Sequence, residues 1–294
     1  MTRLRLNDDT LPGLFQVADT ASLKAQSRYF FWLRLYLLLL IAAAIVSFAM
    51  AEGRAGASAS ASLFLVTLFI LIWLKISRPD DVWYNGRAVA ESVKTRAWRW
   101  CMRAAPYEKT DNLDRVSEEF IDDLKEILDQ NRRLSATLLP NTSRNQPISD
   151  AMRAVRNLPL TERLQMYKVQ RVDNQAAWYA NKSQSSRQQG LRWFAVSVGL
   201  HVVAVVLLLW RVASPEMMVP TDVIATAAGA VLTWLEAKKY NELESSYALA
   251  ANEIDYVRAK ADLVKTEKQF SEFVLSSEAA FSREHTQWVA RRAE

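Results

Sequence analysis

Cysteine is nearly missing from this chain: one residue, Cys101, in 294. It has no partner for an internal disulfide and no companion thiols for a metal or redox motif, which suits a reducing compartment for the polar parts. Histidine is almost as scarce, with His201 and His285 alone. No His-Glu-x-x-His pair, Walker or dinucleotide glycine loop, or nucleophile elbow is present. These gaps remove the usual catalytic constellations, so no catalytic residue, metal or cofactor is expected. Seven glycines and eight prolines are few, and most fall at boundaries: Gly53, Gly56, Pro79, Pro106, Pro140, Pro147, Pro159, Pro215 and Pro220. With no period-two alternation between them, this punctuation predicts an all-α chain.

What is abundant is long apolar sequence. Four stretches, 29–50, 55–77, 191–212 and 217–235, approach the roughly 20 apolar residues a helix needs to cross a bilayer. They form two pairs, and Ile72-Trp73-Leu74-Lys75 is echoed by Thr233-Trp234-Leu235-Glu236. The pattern predicts a duplicated two-helix hairpin. The fourth stretch is the weakest, because only 223–235 is free of charge and Asp222 stands at its edge. A run of that size alone also fits a re-entrant or buried segment. Ala49-Met50-Ala51 resembles a signal-peptide cleavage site, but the apolar core before it is too long and Asp8, Asp9 and Asp19 precede it.

A net charge of +5 and a pI of 9.3 invite a nucleic-acid reading, which the placement of the charges argues against. Lys24, Arg28, Lys75, Arg78, Lys182, Arg187, Lys238 and Lys239 flank the stretches on one side, while the hairpin tips hold only Arg54 and Arg211. The positive-inside rule then puts both termini and the central region in the cytoplasm. The lipid bilayer, rather than nucleic acid, is the expected partner. The basic, aromatic run Arg96–Arg103 is accordingly read as facing anionic lipid.

The polar sequence divides into a cytoplasmic segment 1–28, helices within 80–135, a linker 136–160, and a long helix 236–290. The first module is 29–135 and the second 161–294. Asp80 or Asp81 caps a helix to Ala105, on which Trp83, Arg87, Glu91, Lys94 and Trp98 share a face. Tryptophans at both ends favour a packed polar interface over a solvated stripe. A second helix, Leu113 to Leu134, gathers Leu113, Val116, Phe120, Leu124 and Ile127. Beyond the fourth stretch, Leu243, Tyr247, Ala250, Ile254, Val257, Ala261 and Val264 repeat in heptads and predict a coiled-coil-like seam. A continuous helix from Val223 to Lys268 would be about 70 Å long.

Few residues suggest chemistry inside the membrane. His201 lies mid-way along the third stretch, where an ionisable group is a candidate for gating or permeation or a tolerated neutral imidazole. Arg34 is near the cytoplasmic end of the first and can snorkel. Asp222, Thr226, Gly229 and Thr233 make one moderately polar face on the fourth. Close helix packing and lining of an aqueous path both fit it. His285 is expected to be an interface histidine.

The run Trp83-Tyr84-Asn85-Gly86-Arg87-Ala88-Val89-Ala90-Glu91-Ser92, with Lys94-Thr95 and Trp98 following, resembles the post-membrane signature of SLATT domains. These are two-transmembrane effector domains named for association with SMODS nucleotidyltransferases and SLOG ligand-sensing domains. Pro106-Tyr107 stands where that family tends to have a Pro-aromatic pair. The second half resembles a related type through Asp173-Asn174-Gln175, Trp178-Tyr179, Trp234, Tyr240 and Tyr247, then Glu278 and Glu284-His285-x-x-Trp288. The resemblance implies a multi-pass protein of the bacterial inner membrane that oligomerises and perforates or depolarises the membrane in a conflict or anti-phage system. Family members respond to a nucleotide signal, but neither a nucleotidyltransferase nor a SLOG domain is recognised in this sequence, so the resemblance leaves a separate sensing partner, a directly bound nucleotide-type ligand or no trigger as the alternatives. The expectation is therefore a homo-oligomeric ion channel or pore gated through cytoplasmic helices. The alternative is a non-conducting membrane scaffold that docks a soluble sensor.

Overall fold

The structure, a computed structural model, describes residues 5–50, 53–108, 112–131 and 146–290, the last eight by backbone alone. Every regular element among the described residues is helical. After a short 3-10 turn at Asp8–Thr10, Pro12 precedes α1, Gly13–Ala49. Next come α2, Arg54–Ser77, and α3, Pro79–Cys101. Arg78 adopts the left-handed conformation (φ 41°) and donates its N–H to Leu74 O at 3.1 Å. Pro79 then opens α3, with an unbondable nitrogen at the one end of a helix that tolerates it.

Helix α4, Leu113–Gln130, is capped by Asn112, whose side chain accepts from the Arg115 N–H. It buries Val116, Phe120, Leu124 and Ile127, while Leu113 stays exposed. The helix stops short of the expected Leu134, and residues 132–145 lie outside the described residues. The segment expected to be a linker is structured where described. Ser149 caps α5, Asp150–Arg156, which inserts Met152 and Val155 into the core. Helix α6, Leu160–Tyr167, passes through a π turn at Lys168–Asp173 into α7, Asn174–Ala213.

The long helix expected from Val223 to Lys268 is instead three: α8, Thr221–Lys238, α9, Tyr240–Ala261, and α10, Glu267–Ala290. Lys239 breaks the first junction by turning left-handed at φ 48°. At the second, Thr266 Oγ1 accepts from the Gln269 N–H at 3.3 Å while Gln269 Oε1 accepts from the Thr266 N–H at 3.2 Å. This reciprocal capping box starts a new helix.

The chain forms two compact units, and each draws on both halves of the sequence. One, the helical body, comprises Met1–Gln26, Asp80–Lys182 and Ser246–Glu294. Its core joins Leu11, Phe15 and Ala18 of the N-terminal stretch to Val89, Val93, Trp98 and Trp100 of α3, Phe120 of α4, Ile254 of α9, and Phe270 and Val274 of α10. From Tyr247 onward, the residues of the heptad pattern pack on this core. They form a core face rather than the expected coiled-coil seam.

The other unit, Ser27–Pro79 and Ser183–Ser245, carries the apolar helices. Three helices, α1, α2 and α7, hold segments long and apolar enough to cross a membrane. Only 17%, 17% and 6% of those windows are buried within the chain. Apolar area left bare on that scale marks a membrane or partner surface, and the continuous apolar length identifies lipid. The fourth stretch, α8, is not among these three. Its 18 residues span about 27 Å, and Asp222, Glu236 and Lys238 shorten its uncharged part.

Candidate functional site

Buried charge marks the centre of the helical body. Glu278 on α10 is 1% exposed, and Arg171, in the π turn, is also 1% exposed. Arg171 Nε donates to Glu278 Oε1 at 2.9 Å, and a second guanidinium nitrogen donates to Oε2 at 2.7 Å. Tyr167 OH donates to Oε1 at 2.9 Å, and Thr95 Oγ1 to Oε2 at 3.0 Å. Four donors thus saturate the carboxylate, which is what makes a buried charge tolerable. Burial alone would lower the Arg171 pKa, but Glu278 outweighs it and holds it above the ordinary value.

Two further buried arginines close the end of α3. Arg163 donates to Met102 O at 2.7 Å and to Leu158 O at 3.0 Å, and pairs with Glu267. Arg156 donates to Trp100 O and, at 2.8 Å, to Tyr107 O, with its guanidinium 4.9 Å above the Trp100 ring. These bonds satisfy carbonyls that a helix C-terminus leaves orphaned, at the end where its dipole favours cations. Burial, with Arg103 adjoining, lowers the Arg156 pKa to about 10. The run Arg96–Arg103 is likewise engaged: Trp98 and Trp100 are buried, Arg96 meets Asp123 at 3.2 Å, Arg99 donates to Ala105 O, and Arg103 to Arg156 O. It belongs to the fold rather than to a lipid-facing patch.

The polar face of α3 is packed through ion pairs and aromatic contacts. Arg87 pairs with Glu91 at 2.7 Å and reaches Asp19 on α1 at 3.6 Å. Burial opposes the Arg87 charge, and the two carboxylates more than restore it. Lys94 pairs with Asp8 at 2.8 Å. Trp83 and Tyr84 stack at 4.5 Å, Trp98 meets Tyr167 edge-on at 5.7 Å, and Ser92 faces solvent.

From the second half, Trp178 and Tyr179 gather on Tyr247 at 5.5 and 5.9 Å. Asp173 pairs with Arg258 at 2.9 Å, and Gln175 is half-buried. Glu284, His285 and Trp288 fall on α10 where side chains lie outside the described residues. The residues that sequence reasoning missed are Arg156, Arg163, Arg171 and Tyr167. Arg156 and Arg163 lie on short helices, Tyr167 ends one and Arg171 falls in the π turn, so no regular helical period marks them together.

In the apolar unit, Asp222, Gly229 and Thr233 are exposed and Thr226 is half-exposed, whereas Ala228, Ala230 and Trp234 are buried. The Thr226 and Thr233 hydroxyls donate to Asp222 O and Gly229 O at 2.7 and 2.9 Å, which satisfies them inside their own helix. A Cβ built on Gly229 would meet nothing within 4 Å. His201 is exposed on α7, with Nδ1 2.7 Å from Ser197 O.

Described residues that are helical in every regular element, with three bare apolar helices, define the class as an all-α membrane protein. The family follows from the comparisons. Residues 12–164 match the SMODS and SLOG-associating 2TM effector domain 3, and residues 167–288 match the corresponding domain 1. With over half its length covered by the first match, the chain belongs to the SLATT effector family, as a tandem. No curated protein and no solved structure matches it.

Proposed function

We propose that this tandem SLATT protein is a homo-oligomeric channel or pore of the bacterial inner membrane, an effector of a nucleotide-signalled conflict system with both termini cytoplasmic. The bare face of α8 supports this reading most directly. Asp222, Gly229 and Thr233 point away from the chain's own packing, whereas Ala228, Ala230 and Trp234 fill it. Small, hydroxylated residues on a membrane helix are suited to close contact with another subunit or to an aqueous lining. A fourth crossing by α8 is part of the proposal, as is the absence of enzymatic activity.

The full-length protein in planar bilayers should pass current, and Gly229→Trp should reduce or alter it, because the new side chain enters open space on that face. Folded oligomer that stays electrically silent with and without candidate nucleotide signals would contradict the reading. A non-conducting scaffold is the second reading. Leu249, Tyr256 and Leu263, 57%, 76% and 71% exposed on or just past α9, favour it as a docking stripe. Overexpression separates the two, since a pore collapses the membrane potential and a scaffold leaves it intact.

A further inference from the structure

Two cations of the apolar unit share an aromatic floor and have no carboxylate partner among the described residues. Phe30 of α1 and Trp234 of α8 meet edge to face, 5.7 Å apart, and both are buried. Lys238 Nζ lies 3.5 Å above the Phe30 ring and 5.0 Å from the Trp234 centroid. The Arg34 guanidinium lies 5.6 Å from the same indole. Trp193 of α7 flanks it at 6.1 Å. Arg34 Nε donates to Phe30 O at 3.1 Å, and the residue is exposed.

Two other cations of the unit do meet acids: Lys239 reaches Glu242 at 3.3 Å and Arg187 reaches Glu244 at 3.8 Å. Among the described residues, no carboxylate pairs with Arg34 or Lys238, and the two repel one another. Rings hold a cation by their quadrupole but do not neutralise it. An anion is therefore called for, and its chemistry is set by the donors. A guanidinium fork offers paired N–H groups to a phosphate, and an ammonium adds a point charge. Tryptophans at a helix end belong to the membrane–water interface, where basic pockets between helices take anionic headgroups.

We propose that Arg34 and Lys238, on the Phe30–Trp234 floor, form a binding site for the phosphate of an anionic phospholipid headgroup. The bound lipid bridges α1 and α8, so it ties the first hairpin helix to the helix with the bare polar face. This inference rests on the membrane assignment and is independent of whether the protein conducts.

The test uses full-length protein purified in neutral detergent, with lipid binding followed by native mass spectrometry and by the rise in melting temperature. Phosphatidylglycerol should bind saturably. Removing either charge, as Arg34→Gln or Lys238→Gln, should weaken it about fivefold, and removing both about thirtyfold. Lys239→Gln, whose lysine is already paired, should bind as the parent does. Phosphatidylcholine should not substitute, and soluble glycerol phosphate should not compete. Parent-like binding by the double variant, an equal loss in Lys239→Gln, or full competition by glycerol phosphate would each overturn the site. Should the double variant fail to fold, Arg34→Lys with Lys238→Arg keeps both charges and must retain binding, and loss there also overturns it. Release of the parent protein from membranes by alkaline carbonate would instead refute the membrane assignment.

Discussion

Glu278 is held by four hydrogen bonds from Arg171, Tyr167 and Thr95 in a part of the body closed to water. Glu278→Gln keeps the shape but leaves the Arg171 charge buried without its counter-ion, which should cost about 3–5 kcal/mol. Glu278→Leu combined with Arg171→Met removes both charges and should be clearly less destabilising than the single change. Melting temperatures of the two variants against the parent check this, and equal losses would contradict it.

Protonation supplies a second expectation for these residues. Burial chiefly, then Asp123 and Glu278 respectively, raise the Tyr107 and Tyr167 hydroxyls above their ordinary 10.0. The folded state therefore holds these protons more tightly than the unfolded one. The stability this confers is complete below the ordinary value and drains away as pH climbs through the raised values. Melting temperature should fall beyond about pH 10, and less steeply in Tyr167→Phe. Glu278 was marked in the sequence by the family resemblance, but Arg171 was not. The π turn at Lys168–Asp173 inserts a residue and resets the helical phase, so a 3.6-residue period assigns Arg171 to no face.

Helix contacts depend on small residues at chosen places, and Gly86 on α3 is the clearest. A Cβ there would stand 3.0 Å from Ala18 O and 3.1 Å from Ser22 Cβ on α1, beside the Ser22 hydroxyl that donates to Trp83 O at 2.9 Å. Gly86→Leu should push the two helices apart and cost about 1–3 kcal/mol, read as a lower melting temperature. An unchanged value would mean that α1 and α3 are not in contact there. Element boundaries were unevenly legible. The Arg78-Pro79 break is announced by its proline, and Thr266-x-x-Gln269 is a capping box that the unbroken heptad pattern concealed. Lys239 gives no warning, because a left-handed lysine follows from its setting and not from its own preference. Coiled coil and core face share one spacing, so the period in α9 carried no information about what its partner would be.

At the level of the molecule, the two family matches are contiguous in sequence yet intermixed in space. Their border, between residues 164 and 167, falls inside α6, and both sides feed one core. Thr95 of the first half binds Glu278 of the second, and Arg156 and Arg163 of the first half close the loop after α3. Separate modules at 29–135 and 161–294 were the natural reading of a repeat, since sequence order carries no sign of interlocking. A chain cut within 132–145 should therefore yield halves that are unstable alone but copurify in equal amounts when produced together. Independent stability of either half would contradict the shared core. Above all stands the path of the chain through lipid, and cysteine labelling in intact cells tests it most directly, because the lone native thiol, Cys101, is fully buried. With Arg54→Cys, Ser214→Cys and Asn241→Cys in turn, an impermeant reagent should reach 54 and 214 from outside and reach 241 only after the membrane is opened. Labelling of 241 from outside together with 214 would mean that α8 does not cross, and exclusion of 54 and 214 would refute the membrane path altogether.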